Sequence, residues 1–204
     1  MRQLPPYVKS NLPRGRSGDW SIEKFSVQAP GQDDSRPACF QSPAGTYTRL
    51  KKGNEVFMTD FYDEWWTQRM AIEQARVRGG DVLITGLGLG LVVASILEFP
   101  GGHVTRVVVI ESSVDVIDLV APSLESRYDG QIEVINADAF KWLPPPGRRF
   151  SVGWHDIWPN PHEPGVLTQA KQLERRYAPY CGWQGNWVRD YRAVEKTEKF
   201  ARAG

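Results

Sequence analysis

The sequence predicts an α/β fold, with a parallel sheet flanked by helices and a small β-hairpin element ahead of it. Two observations carry the prediction. The first is a short apolar run, Val82 to Thr85, that follows the turn signal Gly79-Gly80 and leads through Gly86, Gly88 and Gly90 into the helix-like run Leu91 to Leu97. Branched apolar residues over that length read as a strand buried on both faces. The second is that strand-like and helix-like segments alternate from the glycine turn onward as β-α-β-α-β-α-β-α. That alternation makes a parallel sheet with right-handed crossovers and helices on both faces.

Length and composition fit one such domain. At 204 residues the chain can bury a sizeable core but is short for two domains. With 25 Lys and Arg against 24 Asp and Glu the net charge is +1, so no global basic field argues for nucleic acid or an anionic membrane as partner. Cys39 and Cys181 stand far apart, outside any C-x-x-C pattern. Neither a zinc site nor a disulfide framework is suggested, and the cytoplasm is the expected compartment. The opening Met1-Arg2-Gln3-Leu4-Pro5-Pro6-Tyr7 lacks the apolar run of a signal peptide, and no later stretch has the length to span a bilayer.

Residues 1–18, rich in Pro, Gly, Ser and basic side chains, read as an irregular arm. Residues 19–58 read as the small β element. Trp20 to Val27 alternates in part as a strand, Pro30 to Pro43 is turn-rich, and Tyr47 to Leu50 and Glu55 to Met58 flank a Gly53-Asn54 hairpin signal. A helix is expected to open over Thr59 to Asp63, with Asp60 as its cap and Asp63 and Glu64 near its positive end. Phe61, Trp65, Ile72 and Ala75 recur at helical spacing on one face. Asp60, Asp63 and Glu64 could also be taken for a catalytic or metal-binding cluster; capping is the preferred reading.

At the glycine turn a backbone can approach a nucleotide-like ligand with no Cβ in the way, and the helix start behind it adds unpaired N–H groups. The dinucleotide fingerprint needs glycine at its first, third and sixth positions, which here are Gly86, Gly88 and Leu91. The spacing is G-x-G-x-G instead. A tight βα turn without a ligand is the alternative. Val104 to Glu111 is the second strand, and it ends in a carboxylate about two dozen residues past the turn, near where an acidic residue meets a ribose in nucleotide-binding α/β folds. The alternative is an exposed strand-end charge. Ser112 is the expected cap of the next helix, with Val114, Ile117 and Ala121 as its buried stripe and Pro122 at its end. Gln131 to Ile135 and Phe150 to Asp156 are the third and fourth strands, with Pro144 to Gly147 a surface connection before the fourth. Residues 164–178 form a helix with Val166, Ala170, Leu173 and Tyr177 on one face.

The stretches Gly86-Leu87-Gly88-Leu89-Gly90-Leu91, Val109-Ile110-Glu111, Asn136-Ala137-Asp138-Ala139 and Trp154-His155-Asp156-Ile157-Trp158-Pro159 carry a resemblance. Residues from about 47 to 160 resemble the spermidine synthase-like branch of the class I S-adenosylmethionine (SAM) dependent methyltransferase superfamily. The resemblance implies a Rossmann-like methyltransferase core over residues 59–190 with SAM as cofactor, followed by a charged tail over 191–204. It implies that Gly86, Leu87, Gly88 and Gly90 approach the methionine part of SAM and that Glu111 accepts hydrogen bonds from the ribose. Asp138 would meet the adenine amino group, with the Ala139 backbone beside the ring edge, and Asp156 would face the reacting centre.

The departures from that pattern bear on function. Many methyltransferases carry an acidic residue where this chain has Ile84, and spermidine synthases carry an Asp where it has Leu89. Their Gln after the hairpin and their Tyr-His pair align with Phe57 and Thr67-Gln68. Leucine cannot satisfy an ammonium group, which disfavours polyamine synthesis. Only about 40 residues follow Pro159-Asn160-Pro161, so the parallel sheet is expected to be truncated, with residues 180–187 adding one short strand or covering its edge. A second subunit, giving a homodimer, is another way to cover that edge. Trp154, Trp158, Trp183 and Trp187 read as core filling in preference to a cage for a cation. Asp156 and His155 are the candidate catalytic residues; a turn-capping Asp and a structural His are their alternatives. No metal site is expected. Three function classes stay open: methyl transfer from SAM to a small-molecule or side-chain acceptor, aminopropyl or other alkyl transfer from a related donor, and a non-catalytic SAM-binding or structural module.

Overall fold

The computed structural model describes residues 7–28 and 42–203, with side chains as far as Lys196. The start of the arm and most of the turn-rich stretch 30–43, Cys39 included, lie outside the described residues.

The β element is a four-stranded antiparallel sheet in the order β1-β2-β3-β4, formed by β1 (Gly15–Ser17), β2 (Trp20–Val27), β3 (Gly45–Lys52) and β4 (Glu55–Thr59). The expected hairpin between β3 and β4 is present, with Gly53 in the left-handed region at φ 58°. The arm is not irregular throughout: Gly15 to Ser17 turn back to pair with Ile22, Ser21 and Trp20. The Ser17 hydroxyl then donates to Asp115 Oδ1 at 2.8 Å, fastening this sheet to the larger domain.

Asp60 does not cap a helix. It is fully buried, with its carboxylate oxygens accepting the Thr48 N–H at 2.6 Å and the Ser10 N–H at 3.1 Å, so it ties the arm to β3. The helix that follows begins after Phe61, which makes no side-chain cap bond, and it divides into α1 (Tyr62–Thr67) and α2 (Arg69–Arg78). The break falls at Gln68, whose N–H tightens onto the Trp65 carbonyl, three residues back. Trp65, Ile72 and Ala75 are buried as the spacing required.

The second sheet has five parallel strands in the order β7-β6-β5-β8-β9. These are β5 (Gly80–Thr85), β6 (Val104–Glu111), β7 (Ile132–Asn136), β8 (Phe150–His155) and β9 (Cys181–Asn186). The tail therefore supplies one strand. Val82 to Ile84 and Val107 to Ile110 are buried on both faces of the sheet, the environment in which continuous apolar runs are stable. Helices α3 (Leu91–Leu97), α4 (Val114–Arg127), α5 (Val166–Tyr177) and α6 (Trp187–Ala203) complete the fold. No helix of the described residues is long and apolar enough to cross a membrane.

Two features differ from the expected pattern. No helix lies between β7 and β8: residues 137–149 are turns and irregular chain, because Pro144, Pro145 and Pro146 withhold the N–H groups a helix would need. In α4 the cap is Ser113, whose hydroxyl accepts the Val116 N–H at 3.3 Å, rather than Ser112. The buried face is Val116, Val120, Ala121 and Leu124, while Val114 points to solvent. Pro122 sits inside α4, and burial of Leu124 beyond it sustains the last turns. The face expected for α5, Val166, Ala170, Leu173 and Tyr177, is buried throughout.

Candidate active-site cleft at the carboxyl edge

Parallel pairing brings the ends of β7, β6, β5 and β8 to a common edge. Glu111 pairs with Asn136, and Thr85 pairs with both Ile110 and His155. The residues at or just beyond those ends therefore stand in a row: Asp138, Glu111, Gly86, Asp156. Three strand spacings separate the first from the last, about 14 Å. Open parallel sheets bind ligands at this edge. A cleft of ≈ 990 Å³ runs along it, and the antiparallel sheet lends Trp20, Leu50, Lys52, Phe57 and Met58 to its wall.

The glycine turn lines the cleft through Gly86, Leu87 and Gly88. Gly86 has φ 95°, and a Cβ there would lie 1.9 Å from the Asp156 carbonyl oxygen. Close packing of two strand ends therefore requires glycine at this position whether or not a ligand binds. Gly90 stands outside this cleft, at the start of α3 with Leu124 packed against it. Leu89 is buried and does not line the cleft, and its N–H points at the Met58 sulfur at 3.4 Å.

Glu111 ends β6 as expected. Its Oε2 accepts the Leu87 N–H at 2.9 Å and its Oε1 the Ser113 N–H at 2.8 Å, so the carboxylate links the glycine turn to the start of α4. Asp138 lies past β7, with Oδ1 accepting the Phe140 N–H at 2.8 Å and Lys141 3.3 Å from Oδ2. The Phe140 amide above all, with Lys141, holds the Asp138 carboxyl below the usual range. Ala139 is buried beside it, its carbonyl accepting the Tyr177 hydroxyl at 2.8 Å.

Across β5 the environment changes. Asp156 lines the cleft, and the Gln68 side-chain amide donates to its Oδ2 at 2.7 Å. Burial outweighs that bond and pushes the Asp156 carboxyl up to about 7. Glu64 and Asp63 line the same part of the cleft. Burial first, then the Asp63 and Asp156 charges, push Glu64 up to about 8. These two α1 residues were read as helix-end charges in the sequence. The usable signal was the spacing of Glu64 and Gln68, which are one helical turn apart and share a face. Thr67, Trp187, Tyr191 and Glu195 also line the cleft and were not anticipated as a group.

His155 is fully buried and does not line the cleft. Successive strand residues point to opposite faces, so it turns away from Asp156 toward α5 and stacks on Tyr177. Its ring nitrogens engage Thr85 Oγ1 at 3.1 Å and Gln184 Oε1 at 3.0 Å, and burial pushes its pKa down to about 4. The tryptophans divide. Trp158 and Trp187 line the cleft, whereas Trp154 is fully buried and neither it nor Trp183 reaches the cleft. Among the described lining residues, Asp63, Glu64, Glu111, Asp138, Asp156 and Glu195 are acidic and Lys52 alone is basic. Among the described residues, no three His, Cys, Asp or Glu side chains are grouped to hold a metal ion.

No family model and no curated protein matches the sequence. Solved structures do match in part. Spermidine synthase from Thermotoga maritima is 19% identical over 70% of this chain and 46% of its own, with a TM-score of 0.43. The 23S rRNA methyltransferase ErmE is 22% identical over 57% of this chain and 42% of its own, with a TM-score of 0.40. A dimethyladenosine transferase from Plasmodium falciparum is 21% identical over 46% and 31%, with a TM-score of 0.37. The chain thus spans less than half the length of each, and at these scores none of the three says what it binds or does.

Proposed function

We propose that the cleft binds SAM and directs its methyl group to an amine-bearing acceptor. The observation that carries this reading is the acidic bias of the lining, six carboxyls against one lysine, with Asp63, Glu64 and Asp156 together on the far side of the glycine turn from Glu111 and Asp138. Trp158, Trp187 and Tyr191 add aromatic faces, which attract cations.

The residues present fit the cofactor. Glu111 gives one lone pair of each oxygen to a backbone N–H, so Oε2 keeps capacity for one ribose hydroxyl and Oε1 can take the other in exchange for its long contact, 3.5 Å, with the Ser112 hydroxyl. Asp138 has Oδ2 turned to an exposed lysine and can exchange that contact for an adenine amino group. Bound there, SAM supplies an electrophilic methyl group on a sulfonium centre. An amine arrives at neutral pH as an ammonium ion, and its nitrogen lone pair is freed only when a proton leaves. Asp156, with a carboxyl near 7, is suited to take that proton. Activity at low acceptor concentration then falls as pH drops through about 7, where Asp156 becomes protonated.

The binding half of the reading is tested by thermal shift with SAM, S-adenosylhomocysteine, decarboxylated SAM and NAD. At a hundredfold over its dissociation constant a ligand stabilises by about 2.7 kcal/mol. SAM and S-adenosylhomocysteine should raise the melting temperature and NAD should not. Stronger stabilisation by decarboxylated SAM would replace methyl by aminopropyl transfer, and silence with all four would overturn cofactor binding.

A further inference from the structure

Gln68 is almost fully buried, at the break between α1 and α2, and its side chain has two partners 86 and 88 residues away. The Trp154 indole N–H donates to Gln68 Oε1 at 2.7 Å, and Gln68 Nε2 donates to Asp156 Oδ2 at 2.7 Å. Both partners come from β8 and its exit, two residues apart, so the strand period places them on the same face of the sheet. Neighbouring helix contacts supply the other side, where Thr67 donates to the Glu64 carbonyl at 2.8 Å and accepts the Trp187 indole N–H at 3.0 Å.

An indole nitrogen can only donate. Trp154 therefore settles which way round the Gln68 amide lies: its oxygen faces the indole, and its NH₂ can do nothing but donate toward Asp156. An oxygen that accepts this bond is not the one to bind a proton, so proton exchange at Asp156 is directed to Oδ1.

We propose that Gln68 is a positioning residue for Asp156: locked by the Trp154 indole, it fixes the rotation of the carboxyl and reserves Oδ1 for the acceptor. The role of Asp156 in the reaction rests on the methyl-transfer reading above; the positioning itself does not. The other titratable groups lining this end of the cleft are Asp63 and Glu64 on α1 and Tyr191 and Glu195 on α6.

The carboxyl carbon of Asp156, assigned with Asp156→Asn, can be titrated by ¹³C NMR with no cofactor or acceptor present. Losing a hydrogen bond to a charged group, in Gln68→Leu, should move its midpoint upward by about 1–2 on the pH scale. Trp154→Phe, which frees the amide to turn over, should move it the same way by less. Gln68→Leu alone leaves a buried indole N–H unpaired, so the Trp154→Phe/Gln68→Leu double variant, with both partners apolar, provides a folded protein in which the same upward move is expected. An Asp156 midpoint unchanged in folded Gln68→Leu or in the double variant would overturn the proposal. A shifted midpoint in a protein that neither binds SAM nor transfers methyl groups would uphold the positioning and overturn the methyl-transfer reading instead.

Discussion

The two halves of the cleft use the same side-chain chemistry under opposite conditions. On the β6–β7 side, Glu111 and Asp138 take backbone N–H groups from Leu87, Ser113 and Phe140. On the β8–α1 side, Asp156 has one side-chain amide, and burial, with the Asp63 and Asp156 charges, raises the cost of ionising Glu64 beyond what its Thr59 backbone bond offsets. Carboxylates supplied with N–H donors are fixed acceptors of hydrogen bonds, and carboxyls deprived of them near neutrality exchange protons. One edge of one sheet thus carries carboxylates held by backbone N–H groups beside carboxyls raised to near neutrality.

The comparison is broken most decisively at Asp156. Asp156→Asn keeps the Gln68 contact but cannot take a proton, and it should lower single-turnover methyl transfer by about 10²–10⁴. SAM affinity, measured by calorimetry, should stay within a few-fold. Normal turnover in the folded variant would leave Asp156 as a structural group.

Glu111→Ala probes the other half. It removes an acceptor for two backbone N–H groups and, on the proposed reading, for the ribose, and charge-assisted bonds of this kind contribute about 1.5–3 kcal/mol. SAM should bind about 10–100-fold more weakly, with kcat at saturating SAM much less affected. Unchanged affinity in a folded protein would displace the adenosyl group from this side.

The smallest effect is on stability. Glu64 has its carboxyl raised from 4.5 to about 8, so between those pH values the folded chain holds a proton the unfolded chain has released. Stability from this group is therefore complete below about 4.5 and lost as pH rises toward 8. Glu64→Gln removes that dependence, and its melting temperature relative to the native protein should climb from pH 4.5 to 8 by at least about 2–4 °C. His155 works in the opposite direction, losing its contribution as pH falls from 6.5 through about 4, which is why the variant must be compared with the native protein at each pH.

Local pattern made much of the fold legible. Leu91–Leu97 and Val104–Glu111 have the bounds their apolar runs suggested, and the Gly53-Asn54 turn joins the strands on either side of it. Each depends on neighbours within a few residues. Of the stripe expected on α4, Ala121 is buried and Ile117 packs against the core while Val114 beside the cap is exposed, and a helix was counted between β7 and β8 where three prolines stand. At the site, Glu111, Asp138 and Asp156 could be placed at strand ends, and the structure puts all three in the cleft wall. What could not be read was which α1 residues join them. Gln68 looked like a departure from a known pattern, and only folding brings it to Trp154 and Asp156.

Methyl transfer from radiolabelled SAM to a panel of primary and secondary amines, alcohols and carboxylic acids, run in single turnover at pH 6 and pH 8, tests the division of the cleft most directly. Label should pass to amines alone, faster at pH 8 than at pH 6 because Asp156 ionises near 7, and the pH difference should vanish in Asp156→Asn. Transfer to carboxylic acids or alcohols in preference to amines, or to amines at a rate indifferent to pH, would contradict the assignment of the Asp63–Glu64–Asp156 side to a cationic acceptor.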